Sequence, residues 1–127
     1  DQRFFSDFYE GYGFFGGLSA LTTDSMYAVK VSTGATLAVS GTPVALPKTV
    51  TLSSGWNFIG CPYQTPGALK VATPSFPYGS GDQFKSQLQF AEFYEGYGFF
   101  GTLATLDPGV GYKCKVGTGG LATFEPL

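Results

Sequence analysis

Short runs along the chain alternate apolar and polar residues with a period of two, the spacing of strands that bury one face, or are rich in β-forming residues. They are KTVTLS (48–53), WNFIGC (56–61), YKCKV (112–116), MYAVKV (26–31) and TLAV (36–39). In 112–116, Tyr112, Cys114 and Val116 share one face, and Lys113 and Lys115 share the other. The corresponding apolar positions in 26–31 are Tyr27, Val29 and Val31. Residues 88–94 suit either a short helix or a strand, and their aromatic ending with the following Gly96 favours the strand. DPG (107–109) reads as a turn and SSG (53–55) as a hairpin or bulge. With 19 glycines and 8 prolines spread along the chain, no long helix survives. The expectation is an all-β sandwich or roll.

The pattern also repeats. FYEGYGFFG occurs at 8–16 and again at 93–101, an offset of 85 positions. Shifted by 85 without a gap, residues 1–39 align with 86–124 and 18 of 39 positions are identical, from Gln2 with Gln87 to Gly34 with Gly119. Such a period takes precedence over any local motif. Three segments follow: a first, partial copy (1–39), a central single-copy stretch containing GWN (40–85), and a second copy (86–127). They are expected to pack as one domain of two pseudo-symmetric copies of one β motif. If the unit is about 85 residues, the second copy is nearly whole and the first is only a back half. A half repeat must share the central segment, borrow strands from a neighbour, or belong to a longer array.

Composition narrows the function classes. Charged residues are 13% of the chain and aromatic residues 17%, about half and twice ordinary usage. A net charge of −2 supplies no field for nucleic acid or an anionic membrane, and weak repulsion between copies favours self-association. No run approaches the roughly 18 apolar residues of a membrane helix. The chain has no histidine, which removes Ser-His-Asp and Cys-His catalysis and leaves zinc without ligands. Cys61 and Cys114 read either as packed free thiols or as a disulfide, which requires Cα atoms within about 7 Å.

GYGFFG (11–16 and 96–101) fits the glycine spacing of a dinucleotide loop. Neither copy opens a helix, and Thr36 stands where the ribose-binding acid should be. The glycines read instead as bends between packed aromatics. Asp7 with Glu10, and Glu92 with Glu95, are too far out of phase on a β segment to form a glycosidase pair. A calcium site is an alternative for these acids. The preferred reading has Glu10 and Glu95 capping backbone amides or meeting Lys30 or Lys115. Tyr9, Tyr12, Trp56, Tyr63 and Tyr78 are candidates for a glycan-stacking platform, against the reading that they fill the core or an interface. No catalytic, cofactor-binding or metal residues are assigned. The candidate assembly positions are the repeated corners, Tyr9, Glu10, Gly11, Tyr12, Gly13 and Phe14 with Tyr94, Glu95, Gly96, Tyr97, Gly98 and Phe99, together with Trp56.

SGWNFIGCPYQT (54–65), GDQFKSQ (81–87) and FAEFYEGYGFFGTLATLDPGVGYKCKV (90–116) resemble the GWN…DQxKSQ…FGxLxxLxPGxGY repeats of microalgal proteins from diatoms and haptophytes. The resemblance covers 52–124 well, and 2–34 as a second partial copy. In the first copy TTDSM (22–26) replaces DPGVG (107–111), so the two halves need not make equivalent contacts. The resemblance implies a structural or adhesive role. Its two-copy form is similar to pyrenoid-shell proteins, which tile into a sheet around the Rubisco compartment of the plastid.

The function expected is a non-enzymatic, self-assembling building block of a sheet, shell or filament. Its partners would be further copies, joined through β-edges and termini. The location implied is the pyrenoid periphery, or else the cell surface or exterior. A secreted adhesion or glycan-binding module is the alternative.

Overall fold

The computed structural model describes residues 2–127. In chain order the elements are β1 (Ser6–Tyr9), β2 (Gly13–Gly16), β3 (Lys48–Leu52), β4 (Gly55–Gly60), β5 (Gly67–Ala68), α1 (Leu69–Ala72), β6 (Gln83–Lys85), β7 (Phe90–Tyr94), β8 (Gly98–Gly101), β9 (Thr105–Leu106), β10 (Gly111–Val116) and β11 (Gly120–Phe124). The fold is all-β, as the periodicity predicts, and α1 is a single turn of four residues.

Five strands form an antiparallel sheet in the order β4-β10-β6-β7-β8. Strand β10 alternates as read from its sequence: Tyr112, Cys114 and Val116 are buried while Lys113 and Lys115 are exposed. The inward residues of this sheet, including Ile59, Phe84 and Ala91, join Val50 and Leu52 of β3 and Ala122 and Phe124 of β11 in one core. Strands β3 and β11 pair separately, as do β5 and β9. Fully burying rings such as Phe84 and Phe124 contributes roughly 1.5–3 kcal/mol each.

The SSG stretch is not a hairpin. Strand β3 pairs with β11 and β4 with β10, so Ser53 to Gly55 carries the chain from one sheet to the other. Gly55 makes the bend at φ 95°, a region that disfavours side chains. Asn57 fastens this arch. Its Oδ1 accepts the Ser53 N–H at 2.8 Å, and its Nδ2 donates to the Ser53 carbonyl at 2.8 Å and the Cys114 carbonyl at 3.3 Å. Asp82 works similarly on the other side of β10, accepting N–H bonds from Gly79 at 2.9 Å and Gly117 at 3.0 Å. DPG is a turn, with Gly109 at φ 77° and the Val110 N–H donating to the Asp107 carbonyl.

The first copy departs from expectation. Residues 26–31 and 36–39 form no strands, and Val29, Val31, Leu37 and Val39 are 60–84% exposed. The physical reason lies in pairing. Strand β10, the counterpart of 26–31, is flanked by β4 and β6, whereas among the described residues no strand pairs with 26–31. Extended backbone without ladder partners gains nothing over hydrated irregular chain. The sheet is built once, and only the β1–β2 hairpin and the turn that follows it recur.

Candidate assembly surface

The two FYEGYGFFG segments fold identically at the level of the backbone. The pairs Ser6↔Gly16 through Tyr9↔Gly13 repeat as Ala91↔Gly101 through Tyr94↔Gly98. Tyr12 donates its N–H to Tyr9 and Tyr97 to Tyr94, both at 2.9 Å. Gly11 and Gly96 lie at φ 81° and 82°, and Gly13 and Gly98 at 91° and 92°. A Cβ at Gly16 or Gly101 would sit 2.3 Å from the carbonyl oxygen of Phe5 or Phe90. The glycine spacing therefore serves the turn and a close strand approach. Further on, the Tyr27 hydroxyl accepts the Thr22 N–H at 2.9 Å and the Tyr112 hydroxyl accepts the Asp107 N–H at 2.7 Å. That bond survives the exchange of TTDSM for DPGVG.

The surroundings of the two hairpins differ chiefly on one face. On the face turned to solvent in both, Tyr12 and Tyr97 are each 81% exposed and Phe15 and Phe100 each 56%. On the opposite face of β7–β8, Tyr78 packs on Phe93 at 5.7 Å and on Phe99 at 5.0 Å, and Phe84 meets Phe99 at 5.4 Å. The equivalent Phe8 and Phe14 meet each other at 5.2 Å and remain 62% and 71% exposed. Leu21 is 71% exposed where its counterpart Leu106 is 1%.

Glu10 and Glu95 are exposed, and neither carboxylate engages a hydrogen bond or ion pair among the described residues, which corrects the capping and lysine-pairing expectation. The Glu95 N–H is bound by the Ser80 hydroxyl instead. No group of three or more metal-ligating side chains forms among the described residues, so the calcium alternative has no donor set there. The five glycan candidates do not form one platform. Tyr63 and Tyr78 belong to the core region, with their hydroxyls donating to the Glu125 and Pro74 carbonyls, and burial pushes both phenols up. Trp56 lies on the outer sheet face beneath Lys85 at 5.0 Å and Lys115 at 5.8 Å. Both cysteines are free thiols. Burial pushes Cys114 up to about 12, with the Asp82 charge adding to the shift, and also raises Cys61.

The first copy does reach the core domain at one edge. Gln2 Nε2 donates to the Trp56 carbonyl at 2.5 Å, and Gln2 Oε1 accepts the Phe58 N–H at 3.1 Å. Ser25 Oγ donates to the Phe58 carbonyl at 3.3 Å, and Lys48 pairs with Asp24 at 2.6 Å. Strand β4 is the edge of its sheet, so Gln2 and Ser25 cap an open ladder, while the Lys48–Asp24 pair ties the first copy to β3. Sequence reasoning missed Asn57 and Asp82 as pins and Gln2 as an edge cap. The available signals were a lone asparagine two residues after Gly55 and an aspartate at the end of a glycine-containing loop. No known family, curated protein or solved structure matches the chain.

Proposed function

We propose that this protein is a non-enzymatic building block that assembles into a sheet, shell or filament. The observation that carries this reading is the first copy's apolar exposure. Phe5, Phe8, Phe14, Leu21, Val29, Val31, Leu37 and Val39 are all at least 60% exposed. Monomeric soluble proteins rarely leave such clusters uncovered, and a net charge of −2 opposes association weakly. The β1–β2 ribbon adds edge backbone groups able to pair with another chain. The microalgal repeat resemblance points the same way, and under it the assembly is a shell at the pyrenoid periphery of a plastid. The adhesion or glycan-binding alternative loses support from the burial of Tyr63 and Tyr78, which breaks up the aromatic platform.

Negative-stain electron microscopy and sedimentation velocity of the purified chain over a concentration series test the proposal. Ordered sheets, tubes or fibres are expected. Dispersed monomers across salt, pH and concentration would sink it.

A further inference from the structure

We infer that the uncovered face of the β1–β2 hairpin is an acceptor groove for one particular strand: a segment of the FPYGSGDQFK type (residues 76–85 here), supplied by another repeat unit. The second copy shows what this face binds. Beside β7, the Phe93 N–H donates to the Asp82 carbonyl at 2.7 Å, and the Phe93 carbonyl accepts the Gly81 N–H at 3.0 Å. Strand β6 then continues the ladder as Gln83↔Glu92, Phe84↔Ala91 and Lys85↔Phe90. The side chains of the same segment cover the aromatic pair, since Tyr78 and Phe84 both pack on Phe99.

The backbone of the acceptor recurs at an offset of 85, with Ser6 in place of Ala91 and Asp7 in place of Glu92. Strand register, turn hydrogen bonds and glycine angles agree between the hairpins to within 3° in φ. Exposure is equal at Tyr12 with Tyr97 and Phe15 with Phe100, and on the hairpin itself it diverges most at Phe8 and Phe14, whose counterparts Phe93 and Phe99 lie under the 76–85 segment. Strand β1 pairs with β2 alone among the described residues, so the outward edge at Phe8 carries no strand. In the transferred register the segment's Gln83 stands opposite Asp7, as it does opposite Glu92 in the second copy. The chain's own 76–85 segment is held between β10 and β7 and cannot serve both hairpins at once. The occupant is therefore an equivalent strand from a further repeat unit in which no hairpin already holds it, and the recognition is strand addition with an aromatic anchor.

This inference deepens the assembly reading by naming what its first-copy surface takes. The test uses a fluorescently labelled synthetic peptide of residues 74–87 added to the intact chain, with anisotropy giving affinity and NMR shift changes giving the site. The expected result is one peptide per chain, with the largest shifts at Phe8, Phe14 and the β1 amides. Phe84→Ser in the peptide, or Phe14→Ser in the protein, should weaken binding at least about tenfold, the effect of losing a buried aromatic anchor worth about 1.4 kcal/mol or more. Phe14 is exposed in the free chain, so its replacement leaves the core intact. Absence of saturable binding, or shifts confined to β7–β8 through displacement of the resident strand, would overturn the acceptor. Peptide binding by a chain that never polymerises would leave the acceptor standing and remove the assembly reading. Polymers that form from a chain blind to the peptide would do the reverse.

Discussion

Asn57 and Ser53 exchange two hydrogen bonds, each at 2.8 Å, so that one side-chain amide acts as a strand partner for the backbone of the arch. Asn57 is only 9% exposed, whereas Ser53 is exposed, so on loss of the side chain water can reach the Ser53 backbone and the Cys114 carbonyl is the buried group left short of a partner. Asn57→Ala is expected to cost about 1–3 kcal/mol, the range for one orphaned buried group. Urea unfolding followed by far-UV circular dichroism measures it. A cost below about 0.5 kcal/mol would mean the arch is held by something else.

The tyrosine that follows each hairpin gives a comparison within one chain. Tyr112 is 1% exposed, while Tyr27 is half-buried and its bond to Thr22 lies in an exposed setting. Tyr112→Phe leaves the Asp107 N–H unpaired in a half-buried setting and should cost about 1–2 kcal/mol. Tyr27→Phe should change stability by less than about 0.5 kcal/mol, because water replaces the hydroxyl. Equal effects of the two substitutions would show that the first copy is as tightly packed as the second.

Much of this was legible in the sequence, for a definable reason. A period of two places Tyr112, Cys114 and Val116 inward without reference to neighbours, and the glycines of FYEGYGFFG announce a turn. The same logic misplaced 26–31, whose pattern is as good as that of β10. A strand needs partners as well as a pattern, and periodicity says nothing about which segments lie alongside. The pins Asn57 and Asp82 were hidden because their bonds join residues up to 57 positions apart. Gln2 as a cap on β4 was hidden for the same reason.

The cysteines give an alkaline signature. Cys114 is raised to about 12 from an ordinary 9.0 in the unfolded chain, so the folded state holds its proton more tightly. Stability from this group is complete below pH 9 and is lost as pH rises from 9 toward 12, because the unfolded thiol ionises first. The slope for one such group is about 1.4 kcal/mol per pH unit. Cys61 is shifted the same way and adds to the slope, and above pH 10 the raised tyrosines add theirs. Cys114→Val, which installs the residue found at the matching position 29, should fold and flatten the profile between pH 9 and 10. Denaturation midpoints at several pH values decide it, and an unchanged slope in the variant would place the ionisation elsewhere.

Gln2 holds the β4 edge closed with two bonds, and this makes a sharper forecast about association than about folding. Its partners, the Trp56 carbonyl and Phe58 N–H, are ladder groups that another strand could use equally well. Removing the cap by Gln2→Ala costs the monomer only about 0.5–1.5 kcal/mol, since these groups are exposed enough to hydrate. The same change frees an edge strand bearing Trp56 and Phe58, so the concentration at which the chain associates should fall several-fold. Light scattering over a dilution series reads that threshold directly, and Gln2→Glu provides the control, keeping an acceptor for Phe58 while adding charge against edge pairing. If Gln2→Ala shows the wild-type threshold, the β4 edge is not a route of the proposed assembly.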